Sequence, residues 1–112
     1  LTKLRASNLT SKQINQLPPT IQEFDLSGCN VQDFDFSRFT ALTIINLMDT
    51  RKLTAQQIKQ LPTTIQELGL SFCNVQDFDF SRFIALTKLH LSGVQNLTPE
   101  QFRGIPSTAQ II

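Results

Sequence analysis

Few side chains in this sequence have types suited to chemistry. There is one histidine, there are two cysteines, and tryptophan and tyrosine are absent. His90 stands two residues before Ser92. On an extended strand both would project from one face. A working nucleophile also needs a third group to orient the base. Glu67 is the candidate for that role, but Ser27 and Ser71 hold the same serine position with no histidine beside them. Acyl-transfer or hydrolytic chemistry is therefore not expected, and the chain reads as a non-enzyme with no catalytic residue and no cofactor. One histidine and two distant cysteines also fall short of a zinc cluster, so no metal site is expected. Asn8-Leu9-Thr10 and Asn96-Leu97-Thr98 match the glycosylation pattern, but each threonine is better explained as a helix cap.

What positions these residues is an internal repeat. Leu9, Leu53 and Leu97 mark a period of 44 residues, and residues 9–52 align with 53–96 without a gap. Each block divides at Val31 or Val75 into units of 22 residues: 9–30, 31–52, 53–74 and 75–96, with partial units at 1–8 and 97–112. Apolar-x-x-apolar-x-Leu-x-x-Cys-x-Val recurs in 21–31 and 65–75. Strand cores are expected at Phe24-Asp25-Leu26, Ile45-Asn46-Leu47, Leu68-Gly69-Leu70 and Leu89-His90-Leu91, with Leu1, Leu4 and Ala6 at strand spacing before them. By the same period Ile112 aligns with Leu68, where a further strand begins.

The units alternate in kind. Thr10 with Gln13, Thr54 with Gln57 and Thr98 with Gln101 each have capping-box spacing, and Pro99 suits the first helical position. Pairs such as Ile14 and Leu17 or Ile58 and Leu61 share a face, and Pro18, Pro62 and Pro106 stop the helices after about two turns. The other units return through Val31-Gln-Asp-Phe-Asp-Phe-Ser-Arg-Phe39 and its copy at 75–83, read as 3₁₀ or extended segments. Phe34 and Phe39 are expected to stack on Phe78 and Phe83, and Asp35 with Arg38, and Asp79 with Arg82, to pair on the surface. Cys29 and Cys73 hold equivalent positions two strands apart, about 10 Å at ordinary strand spacing. That is too far for a disulfide, so two reduced, buried thiols are expected, which suits a reducing, cytoplasmic compartment.

Composition fits a folded chain rather than a disordered one, with 40% hydrophobic and 17% charged residues. A net charge of +1 with no basic run argues against nucleic acid as a partner. No apolar run approaches the roughly 18–20 residues of a membrane span, so no membrane partner is expected.

With four successive units at this spacing, the chain resembles leucine-rich repeat proteins over essentially its whole length. The resemblance implies an α/β fold: a right-handed, curved solenoid with a parallel sheet on the concave side and short helices or 3₁₀ returns on the convex side. Two subclasses are echoed. Leu61-Pro62-Thr63-Thr64-Ile65-Gln66-Glu67-Leu68 looks like the repeats of bacterial effectors delivered into host cells, which would place the chain in a host cytosol. Leu86-Thr-Lys-Leu89-His-Leu91 through Thr98 is similar to the cysteine-containing repeats of F-box substrate receptors, although Thr50 and Val94 stand where that subclass has cysteine. The subclass stays open. Families with this fold mostly hold a protein partner on the concave strand face. Here that face would carry Glu23, Asp25, Ser27, Ile44, Asn46, Met48, Glu67, Gly69, Ser71, Lys88, His90 and Ser92, with Lys3 and Arg5 adding a further rank.

The two blocks differ at 16 positions, nine of them on this face or in the adjoining loop: 25/69, 28/72, 44/88, 46/90, 48/92, 49/93, 50/94, 51/95 and 52/96. The Gln-Asp-Phe-Asp-Phe-Ser-Arg-Phe return is unchanged, whereas free drift would have scattered it too. A kept scaffold with a varied face is what a binding surface leaves. Partner-binding residues are expected at Glu23, Asp25, Ile44, Asn46, Met48, Glu67, Lys88 and His90, with Ile44 and Met48 as apolar anchors. The alternative is a structural unit, a piece of a longer repeat protein or an engineered duplication. It would associate head to tail through apolar ends: Leu1, Leu4 and Leu9 at one end, Phe102, Ile105, Ile111 and Ile112 at the other.

Overall fold

One row of apolar side chains crosses the whole molecule. Leu4, Phe24, Ile45, Leu68, Leu89 and Ile111 are register partners along successive parallel ladders. The computed structural model describes residues 2–6 and 8–112. Six short strands make a single parallel sheet in sequence order: β1 (Lys3–Arg5), β2 (Glu23–Asp25), β3 (Ile44–Asn46), β4 (Glu67–Gly69), β5 (Lys88–His90) and β6 (Gln110–Ile111). Among the described residues, the backbone of each strand lies close only to the backbones of its sequence-neighbour strands.

β2 to β5 lie one residue earlier than the expected cores. The last ladder pairs Leu89 with Ile111 rather than Ile112, so the period of 44 slips by one residue there. The early start has a hydrogen-bonding cause. Thr2, Gln22, Thr43 and Gln66 each offer one carbonyl oxygen to two consecutive N–H groups of the following strand, as Thr43 does to Gln66 (2.7 Å) and Glu67 (3.1 Å). A carbonyl has two lone pairs, so both bonds can form. At the first edge Leu4 and Leu9 are half-buried, at the last Phe102, Ile111 and Ile112 are exposed, and Leu1 lies outside the described residues.

Three short helices alternate with helix-free returns: α1 (Ser11–Ile14) after β1, α2 (Ala55–Gln60) after β3 and α3 (Pro99–Gly104) after β5. All three capping boxes form. The helices are shorter than two turns, and α1 closes only one. Asn15 follows it where Lys59 continues α2, and asparagine is the weaker helix former. Ile14 and Ile58 are fully buried in the core with the inward strand residues.

The units are stitched by side chains that bond backbone across unit boundaries. The Gln57 amide donates to the carbonyls of Val31 (2.7 Å) and Phe34 (3.0 Å), and Gln101 does the same to Val75 and Phe78. In the opposite sense Arg38 donates to the Ile14 and Leu17 carbonyls, and Arg82 to those of Ile58 and Leu61. The expected Asp35–Arg38 and Asp79–Arg82 surface pairs therefore do not form. Each guanidinium caps the open carbonyls at the end of the preceding helix and lies over its own neighbour, Phe39 or Phe83. Each aspartate instead accepts from the hydroxyl and backbone N–H two residues on, Ser37 or Ser81.

Those serine hydroxyls, then the serine N–H groups, hold the Asp35 and Asp79 carboxyls below the usual carboxylate range. A depressed folded value stabilises the protein above the unfolded value, and that gain is lost as pH falls through the folded one. The thermal midpoint should decline slightly on acidification below about pH 4. In Asp79→Asn, which keeps an acceptor oxygen, part of that decline should vanish when melting is followed across the acid range.

The phenylalanine contacts also differ from expectation. Ring pairs join Phe24 to Phe39 (centroids 5.6 Å apart), Phe34 to Phe36 and Phe78 to Phe80, all edge to face. Among the described residues none joins Phe34 or Phe39 to Phe78 or Phe83, because the unit carrying α2 lies between the two returns. Cys29 and Cys73 are free, buried thiols whose Sγ atoms donate to the carbonyls of Ala6 and Leu47. Burial is the main cause pushing the Cys29 thiol up.

Candidate functional site

Because successive strand residues face opposite sides, the partners of the buried row stand on the outer face of the sheet. There they line a shallow groove of ≈ 630 Å³ running from β1 to β5. Its lining includes Lys3 and Arg5 from β1, Glu23 and Asp25 from β2, Ile44 and Asn46 from β3 with Met48 beyond, Glu67 and Gly69 from β4 with Ser71 beyond, and His90 from β5. Seven of the eight residues named from sequence are brought together in it; Lys88 is not. Lys88 is the register partner of Glu67, but the Glu67 carboxylate reaches diagonally to His90 Nε2 at 2.9 Å, and Lys88 stays exposed outside.

Charge is distributed in bands. Lys3 pairs with Glu23 at 3.5 Å and Arg5 with Asp25 at 3.7 Å, and a third pair, Glu67–His90, lies on the far side. Both cations on β1 are strongly solvent-exposed, so these pairs are worth little and can be exchanged for contacts with a partner. Between the bands lies β3, whose contribution is largely apolar: Ile44 is half-buried and Met48 is 38% exposed. Met48 is held by its backbone N–H, which donates to Asn46 Oδ1 at 3.0 Å.

The floor of the groove dips at Gly69. A Cβ there would come within 2.6 Å of Asn46 Oδ1. Glycine therefore leaves room for the asparagine side chain to lean over β4. Asp25, at the equivalent place on β2, instead turns its carboxylate to the Ser27 hydroxyl and N–H. His90 and Ser92 follow the same strand, but His90 is engaged by Glu67 and Ser92 does not line the groove.

Sequence reasoning passed over Phe72 as a single site residue, although 28/72 is one of the nine varied loop positions. It is 61% exposed on the turn after β4. The signal was a large aromatic where the other copy has Gly28. Comparison with protein-family models, with curated proteins and with solved structures finds no match.

Proposed function

We propose that the chain is a right-handed leucine-rich-repeat solenoid that acts as a non-enzymatic protein-binding module, holding a partner on the grooved strand face. One observation carries the reading: the positions that differ between the two copies concentrate on the groove and its loop, where an accessible apolar centre at Ile44 and Met48 is flanked by exchangeable charges. Apolar contact area ringed by polar groups is the usual anatomy of a recognition surface, and methionine adapts its shape to a partner. Met48→Asp changes an exposed side chain, so the fold should survive. Proteins retained by the immobilised wild type and by Ile84→Asp, whose site lies outside the groove, should be retained about tenfold less by Met48→Asp in quantitative capture. Equal retention by all three would remove the groove from the reading.

A second reading has its own observation. Phe102, Ile111 and Ile112 are exposed beside β6, which has a strand neighbour on one side only. Copies associating through this edge would sediment faster as concentration rises, and Ile112→Asp would suppress that without touching the groove.

A further inference from the structure

The turn after each of four strands needs one residue with positive φ. The chain places Gly28 (φ 78°), Asp49 (φ 54°), Phe72 (φ 64°) and Gly93 (φ 72°) there. Glycine adopts this conformation freely and aspartate tolerates it, whereas a bulky aromatic does so at a cost. Phe72 bears that strain while showing most of its ring to solvent. Hydrophobic burial therefore does not account for it.

The ring has a backbone surface to rest on. It lies against Gly93, where any Cβ would overlap it. Relative to the first copy, Gly28 has become Phe72 and Asp49 has become Gly93. Two of the 16 differences thus meet in one contact: one supplies the ring and the other clears the surface on which it rests. An aromatic has few rotatable bonds and so loses little freedom on binding, which favours affinity.

Around the ring, Asn74, Gln95 and Asn96 line a second shallow groove of ≈ 440 Å³ with no charged side chain. Asn74 and Asn96 are bonded to each other, and Asn96 also accepts the Val75 N–H. These two amides are therefore held in place. An uncharged groove of amides and one aromatic face complements an uncharged segment. Amides pair with peptide N–H and C=O groups, and the ring takes an apolar side chain. The two grooves share no lining residue, but Ser71, which lines the first, is the chain neighbour of Phe72.

We propose that Phe72 on Gly93 is a second contact site, which takes an uncharged, extended peptide segment of a protein partner, with one of its apolar side chains on the Phe72 ring. This rests on the protein-binding reading and extends the interface beyond the strand face. The probe is a random peptide library displayed on phage and selected on the wild-type chain. Enriched peptides are then titrated against Phe72→Gly, Gly93→Asp, Met48→Asp and Ile84→Asp. Peptides carrying an apolar residue in an uncharged stretch should be enriched, and Phe72→Gly should weaken them about tenfold or more. Gly93→Asp should do the same by evicting the ring while leaving Phe72 in the sequence. The thermal midpoint of Phe72→Gly should stay within about 4 °C of wild type, because relief of strain offsets the lost ring contact.

Peptides weakened by Met48→Asp alone would overturn this proposal and leave the first groove standing. Peptides indifferent to both sites, or no enrichment, would overturn both. A larger fall in midpoint for Phe72→Gly would make the ring structural and overturn the proposal. So would binding to immobilised oligosaccharides that Phe72→Gly abolishes, with no peptide selected, because the aromatic face would then serve a sugar.

Discussion

Phe78→Ala should lower stability by about 3–5 kcal/mol, the usual cost of emptying a buried phenylalanine site. Phe78 is 3% exposed, meets Phe80 edge to face, and its carbonyl is one of the two that Gln101 holds. Its neighbours cannot close the space cheaply, because the same return fixes Phe80 and Phe83 in the core. Ile84→Ala, just past the same return but 76% exposed, should change stability by less than about 0.5 kcal/mol. Urea unfolding of both variants makes the comparison. Equal midpoints would mean that the return does not wedge the core.

The second large effect is expected at Gln57. This side chain is 6% exposed and does three things at once. Its Oε1 accepts the Thr54 N–H, and its Nε2 donates to Val31 and Phe34. Gln57→Glu keeps the shape but turns a carboxylate toward two carbonyl oxygens in a buried place. A loss of about 2–4 kcal/mol is expected from unpaired polar groups and the buried charge. Gln101, half-buried in the same role, should be less sensitive, and Gln13, exposed, least of all. Urea midpoints of the three Gln→Glu variants should fall in that order. Equal losses in all three would show that capping the helix, common to all of them, matters more than the stitch to the neighbouring unit.

Much of this was legible in sequence because the period is local. The capping boxes were readable from Thr and Gln three apart, the inward row from Leu and Ile at strand spacing, and seven groove residues from alternation along the strands. What escaped reading were choices among partners. Arg38 had an acidic neighbour at Asp35 in sequence, yet its guanidinium found the open carbonyls of Ile14 and Leu17, which lie in another unit. Glu67 had Lys88 as its register partner and took His90 instead. Phe34 and Phe78 looked like stacking partners by identity, but two strand spacings of chain lie between them. The strand starts moved by one residue because a carbonyl in the preceding unit accepts twice, which no single-unit pattern reveals.

Contacts that join only successive strands also govern how the molecule meets force. Among the described residues, no element reaches past its neighbour to clamp the stack. Tension applied along the stacking direction would therefore load one ladder of hydrogen bonds at a time, and the sheet would unzip from an edge at low force. A ligand lying in the groove from β1 to β5 crosses four ladders at once. It would act as a splint, turning sequential peeling into the simultaneous shear of several strands.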